Sequence, residues 1–254
     1  MVILKSRDEI AIMRRAGQVV ARTLERVVAA VRPGRTLKEL DQLAAATIRA
    51  AGATPSFLGY HPHFAPSPFP GTLCLSVNDV VVHGIPDRTR LREGDILSID
   101  CGAIVEGYHG DAAVTVGVGE IDDAARRLLE ATERALWAGI EQARAGNRLS
   151  DISHAVGQVA HAAGYGVMED FGGHGVGRVL HEDPSVSNDG PPGRGLRLRE
   201  GLVLAIEPMF NEGGGAYRVL PDGWALATRD GSRSAHFEHT VAITADGPEV
   251  LTLG

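Results

Sequence analysis

The fold of this chain is indicated by a stretch that occurs twice, as REGDILSID at residues 92–100 and as REGLVLAIE at residues 199–207. In each copy a glycine precedes a short aliphatic run, which is typical of a buried strand. Each run ends in a carboxylate, Asp100 in the first copy and Glu207 in the second. These two acids need partners, because an unpaired buried charge is costly.

The segments around the two copies also correspond. PGRTLKEL at residues 33–40 matches AGNRLSDI at residues 145–152, and both predict the start of a helix. Further along each copy, Asp111 and Glu238 open another apolar strand. We therefore expect an α/β (α+β) fold with a single domain over residues 1–254. Two αβ pseudo-repeats, at approximately 6–118 and 121–250, would fold against each other about a pseudo-two-fold axis.

The repeat predicts that the carboxylates of Asp100, Asp111, Glu207 and Glu238 converge. Four negative charges within a few ångströms could not all remain ionised without cations. Two divalent ions would balance them. The alternative is that each acid caps a turn or joins a surface ion pair. That explanation suits any one acid alone, but four acids at symmetric places beside buried strands favour a metal site.

Histidines supply further candidates for this site. His174 lies in GGHGVG at residues 172–177, where backbone can approach closely, and it offers a neutral nitrogen ligand. Oxygen ligands with one imidazole and no thiolate suit Mn, Fe, Co or Zn. His83 and His181 have corresponding places in the two repeats, which indicates that both face the metal cleft.

The other histidines are given lesser parts. His236 and His239 flank Glu238, where side chains that support metal ligands are commonly found. His154 and His161 share one predicted helix and are interpreted as structural. Three more fall in predicted loops and are expected to be solvated: His61, His63 and His109.

Composition excludes several classes of protein. The net charge of −7 and the absence of a Lys/Arg run argue against sequence-specific nucleic-acid binding. Apolar stretches such as 27–31 and 202–206 are far shorter than the roughly 20 residues of a membrane span. The 2 cysteines cannot form a disulfide framework, which favours a reducing cytoplasm. No Gly-x-Ser-x-Gly elbow is present, so an enzyme that uses a side-chain nucleophile is less favoured. No Walker loop is present either.

Taken together, these motifs closely resemble type I methionine aminopeptidases. The resemblance is carried by VHGIP (82–86), SID (98–100), GYHGD (107–111), GHGVG (173–177), IEPM (206–209) and EHT (238–240). The motifs occur in the family's order, cover nearly the whole chain and are jointly highly specific. The resemblance implies the pita-bread fold, in which duplicated αβ halves surround a dinuclear metal site. That fold agrees with the repeat.

The resemblance also implies a ligand set and a cofactor. The residues that match the family's five metal ligands are Asp100, Asp111, His174, Glu207 and Glu238. In the family, the residues at Asp111 and Glu238 bridge both ions. The implied cofactor is two divalent metal ions per chain, which could be Co, Mn, Fe or Zn.

Catalytic residues follow from the same resemblance. His83 and His181 match the two histidines that contact substrate, with His181 near the carbonyl oxygen and His83 near the leaving amine. Glu207 is the candidate for proton transfer, because a ligand carboxylate lies within reach of the attacking water.

The implied methionine pocket is lined by Tyr60, Cys74 and Trp224. Phe57 and Leu180 occupy pocket positions that vary in the family. The loop between Tyr60 and Cys74 is longer than usual, and either Phe64 or Phe69 would supply its pocket aromatic.

The implied activity is removal of the initiator methionine from nascent proteins when the second residue is small. We expect a cytoplasmic monomer that meets peptide and protein N-termini, including those at the ribosome. Two alternatives stay open. One is a prolidase-like, proline-directed hydrolase of the same fold, and the other is a non-catalytic relative that binds peptides.

Overall fold

The computed structural model of the chain describes residues 2–63 and 65–254. Within these residues the helices are α1 (Arg7–Val28), α2 (Leu37–Ala50), α3 (Asp123–Gln142) and α4 (Leu149–Ala163). The strands are β1 (Thr54–Pro55), β2 (Leu73–Val77), β3 (Val80–Val82), β4 (Ile96–Val105), β5 (Tyr108–Gly117), β6 (Gly166–Val167), β7 (Gly172–Gly175), β8 (Glu182–Ser187), β9 (Val203–Ile206), β10 (Met209–Asn211), β11 (Tyr217–Val219), β12 (Leu226–Thr228), β13 (Ser234–His236), β14 (Glu238–Thr244) and β15 (Gly247–Val250).

One nine-stranded sheet crosses both halves of the chain. Its order is β1-β4-β5-β14-β9-β7-β8, with β2 paired to β4 and β15 paired to β14. The first half contributes the β4–β5 hairpin and the second half contributes β9 and β14. The halves meet where β5 pairs with β14. Because this pairing is direct, the strands that carry the predicted acids from both halves form one continuous surface.

Matching local structure supports the two-fold pattern. An isolated bridge joins Thr36 to Arg90 in the first half, and another joins Arg148 to Arg197 in the second. Each bridge ties the start of a helix to the loop that leads into a repeated strand. The predicted mixed α/β class with two similar halves is confirmed, and the bounds of the two repeats stay a prediction.

The sequence predicts helix starts at Ser6, Thr36, Asp122 and Ser150. The first three residues are the N-caps of α1, α2 and α3, whereas α4 begins one residue earlier than predicted, at Leu149. At the start of α1 the Ser6 hydroxyl accepts from the Glu9 N–H, and the Glu9 carboxylate accepts from the Ser6 N–H at 2.8 Å. Thr36 and Glu39 form the same reciprocal cap on α2. Such caps satisfy backbone N–H groups that have no partner inside the helix. Among residues 2–63 and 65–254, no helix combines the length and apolar character needed to cross a bilayer.

Aliphatic faces hold the helices against the sheet in two separate clusters. Side chains of α1 and α2, such as Val20 and Leu40, pack with Leu97 and Ile99 of β4. Side chains of α3 and α4 pack in the same way with β9 and β14. Burial of each such side chain stabilises the fold by roughly 1.5–3 kcal/mol. The helices therefore fix the strands from one side and leave the other side for the site.

The β4–β5 hairpin is longer and tighter than the sequence indicated. Three glycines between Asp100 and Asp111 predict a turn over residues 101–110. Most of this region is strand in the structure, and only Glu106 and Gly107 turn, both with positive φ. Gly110 lies within β5, where a Cβ would stand 2.7 Å from the backbone nitrogen of Gly17. His109, expected to be solvated, is buried in the strand, and its Nδ1 lies 2.9 Å from Ser56 Oγ. Glycine content thus indicated a loop where close helix packing requires glycine.

A buried ion pair ties the N-terminal segment to strand β8. Lys5 Nζ lies 2.6 Å from Glu182 Oε2, and the two side chains are only 3% and 8% exposed. Lys5 also donates to the carbonyl oxygen of Ile3, and Glu182 accepts from the N–H of Val179. Because both charges are largely dry, each depends on the other for compensation.

We expect Lys5→Met to destabilise the protein by about 3–5 kcal/mol, because Glu182 would be left buried without its cation. The measurement is the free energy of unfolding in urea. The matched control is Arg15→Met, which breaks the exposed Arg15–Glu106 pair and should leave stability nearly unchanged. Equal unfolding free energies for Lys5→Met and the wild-type protein would contradict the structural importance of this pair.

Candidate metal centre

The four predicted acids converge although they come from different strands. Asp100 and Asp111 lie on the adjacent strands β4 and β5, Glu207 directly follows β9, and Glu238 begins β14. In the hairpin Asp100 is paired with Ala113 and Asp111 with Gly102, so the two aspartates are diagonal neighbours on one face. All four line one cavity of about 320 Å³. The predicted convergence is therefore present in the structure.

Burial of these acids leaves several of their oxygens unsatisfied. Asp100 Oδ1, Asp111 Oδ1 and Glu238 Oε1 are buried and have no hydrogen-bond partner in the described residues. Burial, with the neighbouring carboxylates adding to it, raises the pKa of Asp100, Asp111 and Glu238 well above their ordinary values. Burial likewise raises the pKa of Glu207 to about 8. Such orphaned anionic oxygens fit a site built for cations.

His174 is prepared to act as a neutral nitrogen ligand. Its Nδ1 lies 2.9 Å from the carbonyl oxygen of Gly175, which can only accept, so Nδ1 carries the proton. Nε2 then presents a lone pair 3.4 Å from Glu207 Oε1 and 4.0 Å from Asp111 Oδ2. Burial lowers the ring pKa to about 3, which keeps the imidazole neutral. A lone pair facing carboxylate oxygens is repulsive unless a cation lies between them.

His236 has a larger place in the site than its sequence position indicated. It is 2% exposed, and its Nε2 lies 3.5 Å from Glu207 Oε2 and 3.9 Å from Glu238 Oε2. His239 points the other way, toward Trp137 and Thr252 on the helical side of the sheet. Two residues that both flank Glu238 thus have different surroundings, and the strand alternation decides which one faces the acids.

The two histidines predicted to contact substrate line the same cavity. His181 Nδ1 lies 2.9 Å from the Tyr60 hydroxyl, and its ring centroid is 4.2 Å from that of His174. His83 has a positive φ of 59° and lies between the rings of Phe171 and Trp224. Burial lowers the pKa of both His83 and His181 to about 4, so both rings are neutral near pH 7.

Apolar and aromatic side chains line the same cavity as the acids. Tyr60, Cys74 and Trp224 are among them, together with Phe57 and Leu180, and their role as a methionine pocket stays a prediction. Cys74 is the cross-strand partner of Asp100. Phe69 also lines the cavity and packs edge-on against Trp224 with centroids 5.1 Å apart, whereas Phe64 lies outside the described residues.

Four further lining residues were not among the predicted site residues: Val82, Phe171, Gly172 and Met209. Val82, Gly172 and Met209 lie inside the quoted motifs VHGIP, GGHGVG and IEPM, whereas no motif marks Phe171. Only the tertiary arrangement of β3, residues 171–172 and β10 brings them together.

Comparisons with known proteins place the chain in a metallopeptidase family. The chain matches the family described as "Metallopeptidase family M24" over residues 11–245. It is 50% identical to a methionine aminopeptidase of Clostridium perfringens, covering 100% of this chain and 99% of the relative. It is 48% identical to methionine aminopeptidase 1 of Bacillus subtilis, covering 99% of each chain.

Solved structures give the same result. The crystal structure of methionine aminopeptidase from Thermotoga maritima superposes with a TM-score of 0.96 at 42% identity and covers 100% of both chains. A prolidase from Pyrococcus furiosus superposes with a TM-score of 0.78 at 24% identity, covering 99% of this chain and 66% of the prolidase. The prolidase likeness shows the fold alone. The predicted pita-bread fold is confirmed.

We expect the metal-free protein to be less stable at pH 8.5 than at pH 7. The pKa of Glu207 is about 8 in the metal-free fold against 4.5 as its ordinary value, so the folded state binds more protons than the unfolded state between these values. Stability therefore falls as pH rises through this range. The histidines of the site have lowered pKa values, so they change the pH dependence of stability only below about pH 6.5.

The measurement is the Tm in excess chelator at the two pH values. Added Mn²⁺ should remove the fall, since ionised carboxylates then have a cation to bind. Glu207→Gln is the matched control and should show a smaller fall without metal. A metal-free wild-type Tm that rises between pH 7 and pH 8.5 would contradict this account.

Proposed function

We propose that this chain, which belongs to metallopeptidase family M24, works as a methionine aminopeptidase, a metallo-exopeptidase that hydrolyses the bond after an N-terminal methionine. The observation that carries the proposal is the mixed lining of one cavity. Four carboxylates and the Nε2 of His174 line it together with apolar and aromatic side chains such as Phe69 and Trp224. Such a site can hold an amino terminus at its acids and an unbranched apolar side chain against its apolar residues.

A proline-directed peptidase of the same fold is the second candidate. The chain spans only 66% of the length of the prolidase it resembles, whereas it spans 99% of the Clostridium perfringens methionine aminopeptidase at 50% identity. A non-catalytic relative is less favoured, because every expected ligand side chain is present and lines the cavity.

Asp100, Asp111, His174, Glu207 and Glu238 would hold two divalent ions drawn from Mn, Fe, Co or Zn, with Asp111 and Glu238 shared between them. The fit rests on their orphaned oxygens and on the unprotonated Nε2 of His174. When bound, the ions polarise the scissile carbonyl and lower the pKa of water.

Glu207 moves the proton in the proposed mechanism. Its carboxylate lies at the cavity surface between His174 and His236. It accepts a proton from the water that attacks the carbonyl carbon and delivers it to the nitrogen of the departing amine. A carboxylate within hydrogen-bond reach of the attacking water can both accept and release a proton.

His181 stabilises the oxygen of the attacked carbonyl. The Tyr60 hydroxyl lies 2.9 Å from His181 Nδ1, and in the tautomer that we propose the hydroxyl donates to Nδ1 while Nε2 carries the ring proton. With its pKa lowered to about 4 by burial, the ring is a neutral donor at pH 7. A donor already held in place strengthens its hydrogen bond as negative charge grows on that oxygen, which lowers the barrier.

His83 orients the peptide nitrogen on the leaving side. Its ring is held edge-on to Phe171 and Trp224 and is hydrogen-bonded to the backbone of Trp224. These contacts fix one ring orientation before substrate arrives.

The methionine side chain occupies the apolar side of the cavity. Burial, followed by the nearby charge of Asp100, raises the pKa of the Cys74 thiol, so its sulfur stays neutral and presents an apolar surface. The Trp224 indole is anchored by donation to the carbonyl of Ser67 at 3.1 Å. A thioether packs well against sulfur and the edges of aromatic rings.

The proposed substrates are N-termini of new proteins, including those at the ribosome, in which a small residue follows methionine. The bulky Phe171 and Met209 also line the cavity and are available to limit the second side chain. We propose that the enzyme acts as a cytoplasmic monomer.

A peptide panel tests the proposed specificity. We expect Met-Ala and Met-Gly peptides to be cleaved with the highest kcat/KM. Leu-Ala should be slower by roughly 10–200-fold, because apolar pockets discriminate close side chains by only about 1–3 kcal/mol. Met-Lys should be cleaved poorly. Faster cleavage of Ala-Pro than of Met-Ala under one metal condition would assign the chain to the proline-directed branch.

Asp111→Asn is expected to abolish activity and lower the content of bound metal. An amide has one oxygen acceptor and no charge, so it cannot serve two cations as a carboxylate can. Metal content is measured by elemental analysis after dialysis, with Asp123→Asn on the exposed face of α3 as the control. Retention of both ions and full activity in Asp111→Asn would rule out the shared-ligand role.

His181→Ala is expected to keep its metal and lose turnover. Removal of one positioned donor to a developing oxyanion typically lowers kcat by roughly 10²–10³-fold. Tyr60→Phe, which removes the partner of Nδ1, should lower kcat by less because the ring itself remains. An unchanged kcat in His181→Ala would make His181 a structural residue.

A further inference from the structure

The seam between the two halves is an unusually short piece of regular sheet. Strands β5 and β14 pair at only two positions, Glu238 with Ala113 and His239 with Ala112. In an antiparallel ladder of this register, the next residues that would exchange backbone hydrogen bonds are Asp111 with Thr240 at one end and Thr115 with His236 at the other. Neither exchange takes place between backbones.

At the first end a threonine hydroxyl replaces the missing backbone partner. The Asp111 N–H donates to Thr240 Oγ1 at 3.0 Å, and Thr240 Oγ1 donates to the Asp111 carbonyl at 2.7 Å. One hydroxyl thus satisfies both backbone groups of the residue expected to bind two ions. The Thr240 backbone is engaged elsewhere, with the Thr252 hydroxyl and the N–H of Leu251.

The second end repeats the arrangement with the strands exchanged. The His236 N–H donates to Thr115 Oγ1 at 2.8 Å, and Thr115 Oγ1 donates to the His236 carbonyl at 2.7 Å. Since that hydroxyl has only one proton, Ser98 Oγ, at 2.8 Å, must be the donor in its contact with Thr115. Both threonines are buried, at 3% and 0% exposure.

The hydroxyl bonds of Thr240 to Asp111 and of Thr115 to His236, here called the two clamps, bear on the separation of β5 and β14 beside the acids. A side-chain hydroxyl inserted between two backbones spaces them more widely than a direct N–H to carbonyl bond does. A hydroxyl takes the place of the backbone bond on both sides of the short ladder that holds Glu238, and one of these hydroxyls binds the backbone of Asp111 itself. The positions of the Asp111 and Glu238 carboxylates therefore depend on two hydroxyl groups that do not line the cavity.

We propose that Thr240 and Thr115 are positioning residues of the metal centre, which set the separation of Asp111 and Glu238 by acting as hydroxyl spacers in the seam. This proposal rests on the proposed metal-dependent function. It assigns to the seam a part in metal binding that is separate from its part in joining the two halves.

The test compares Thr240→Val and Thr115→Val with the serine variants Thr240→Ser and Thr115→Ser. Valine keeps the shape and removes the hydroxyl, whereas serine keeps the hydroxyl. The readouts are the Kd for Co²⁺ by titration calorimetry on metal-free protein and the visible absorption spectrum of the Co²⁺ form, which reports coordination geometry. We expect the valine variants to bind Co²⁺ roughly 10–100-fold more weakly, as is usual when a residue supporting a ligand is lost, and to have altered spectra.

The serine variants should restore both the affinity and the spectrum. The matched control is Thr23→Val in α1, which removes another fully buried hydroxyl that donates to a backbone carbonyl, here that of Val19 at 2.7 Å. Thr23→Val is expected to lower the Tm and to leave the Co²⁺ Kd and spectrum unchanged.

Wild-type affinity and spectra in both folded valine variants would overturn the proposal, as would failure of both to fold, since the hydroxyls would then serve the fold rather than the site. If one valine variant folds, its Kd and spectrum decide for its own clamp. Absence of Co²⁺ binding by the wild-type protein would instead refute the proposed function, so the two failures are distinguishable.

Discussion

Four carboxylates line one cavity, and their mutual repulsion is the constraint on which the rest of the structure depends. Burial raises the pKa values of all four, and three of their oxygens have no partner among the described residues. Bringing such groups together costs free energy that divalent cations return on binding. The protein has to hold the acids in place against this repulsion before the ions arrive.

The two-fold architecture supplies that rigidity. Each half contributes two acids from adjacent strands, and each half is covered on its outer side by its own pair of helices. Asp100, Asp111 and Glu238 lie on strands, and Glu207 directly follows β9. Ladder bonds hold β4 against β5, and the Thr240 hydroxyl binds both backbone groups of Asp111. Strand alternation separates the chemistry from the packing, since Glu238 faces the cavity and His239 faces Trp137 on α3.

The imidazoles in the site are neutral, which suits them to metal binding and hydrogen bonding. Burial lowers the pKa of His83, His174, His181 and His236 to between about 3 and about 4. A protonated His174 would compete with metal for the acids, whereas the neutral ring offers a lone pair. The neutral ring of His181 has its Nδ1 2.9 Å from the Tyr60 hydroxyl, which fits the donor role proposed for its Nε2. Low-dielectric surroundings thus prepare the acids for cations and the histidines for hydrogen bonding at the same time.

The amino-acid sequence by itself determined the repeated strands that end in Asp100 and Glu207, the helix starts at Ser6, Thr36 and Asp122, and the candidate ligand set. These features are local: apolar runs, capping residues and motif spacing specify them without reference to distant parts of the chain. Tertiary structure alone decided which neighbours of a motif face the cavity. It buried His109 in a strand, turned His236 inward and His239 outward, and placed Phe69, Phe171 and Met209 on the cavity wall. It also replaced the expected backbone pairing at the seam by the hydroxyls of Thr115 and Thr240. The reason is physical: side-chain direction and strand spacing depend on register between segments that lie more than one hundred residues apart, and a local pattern carries no information about that register.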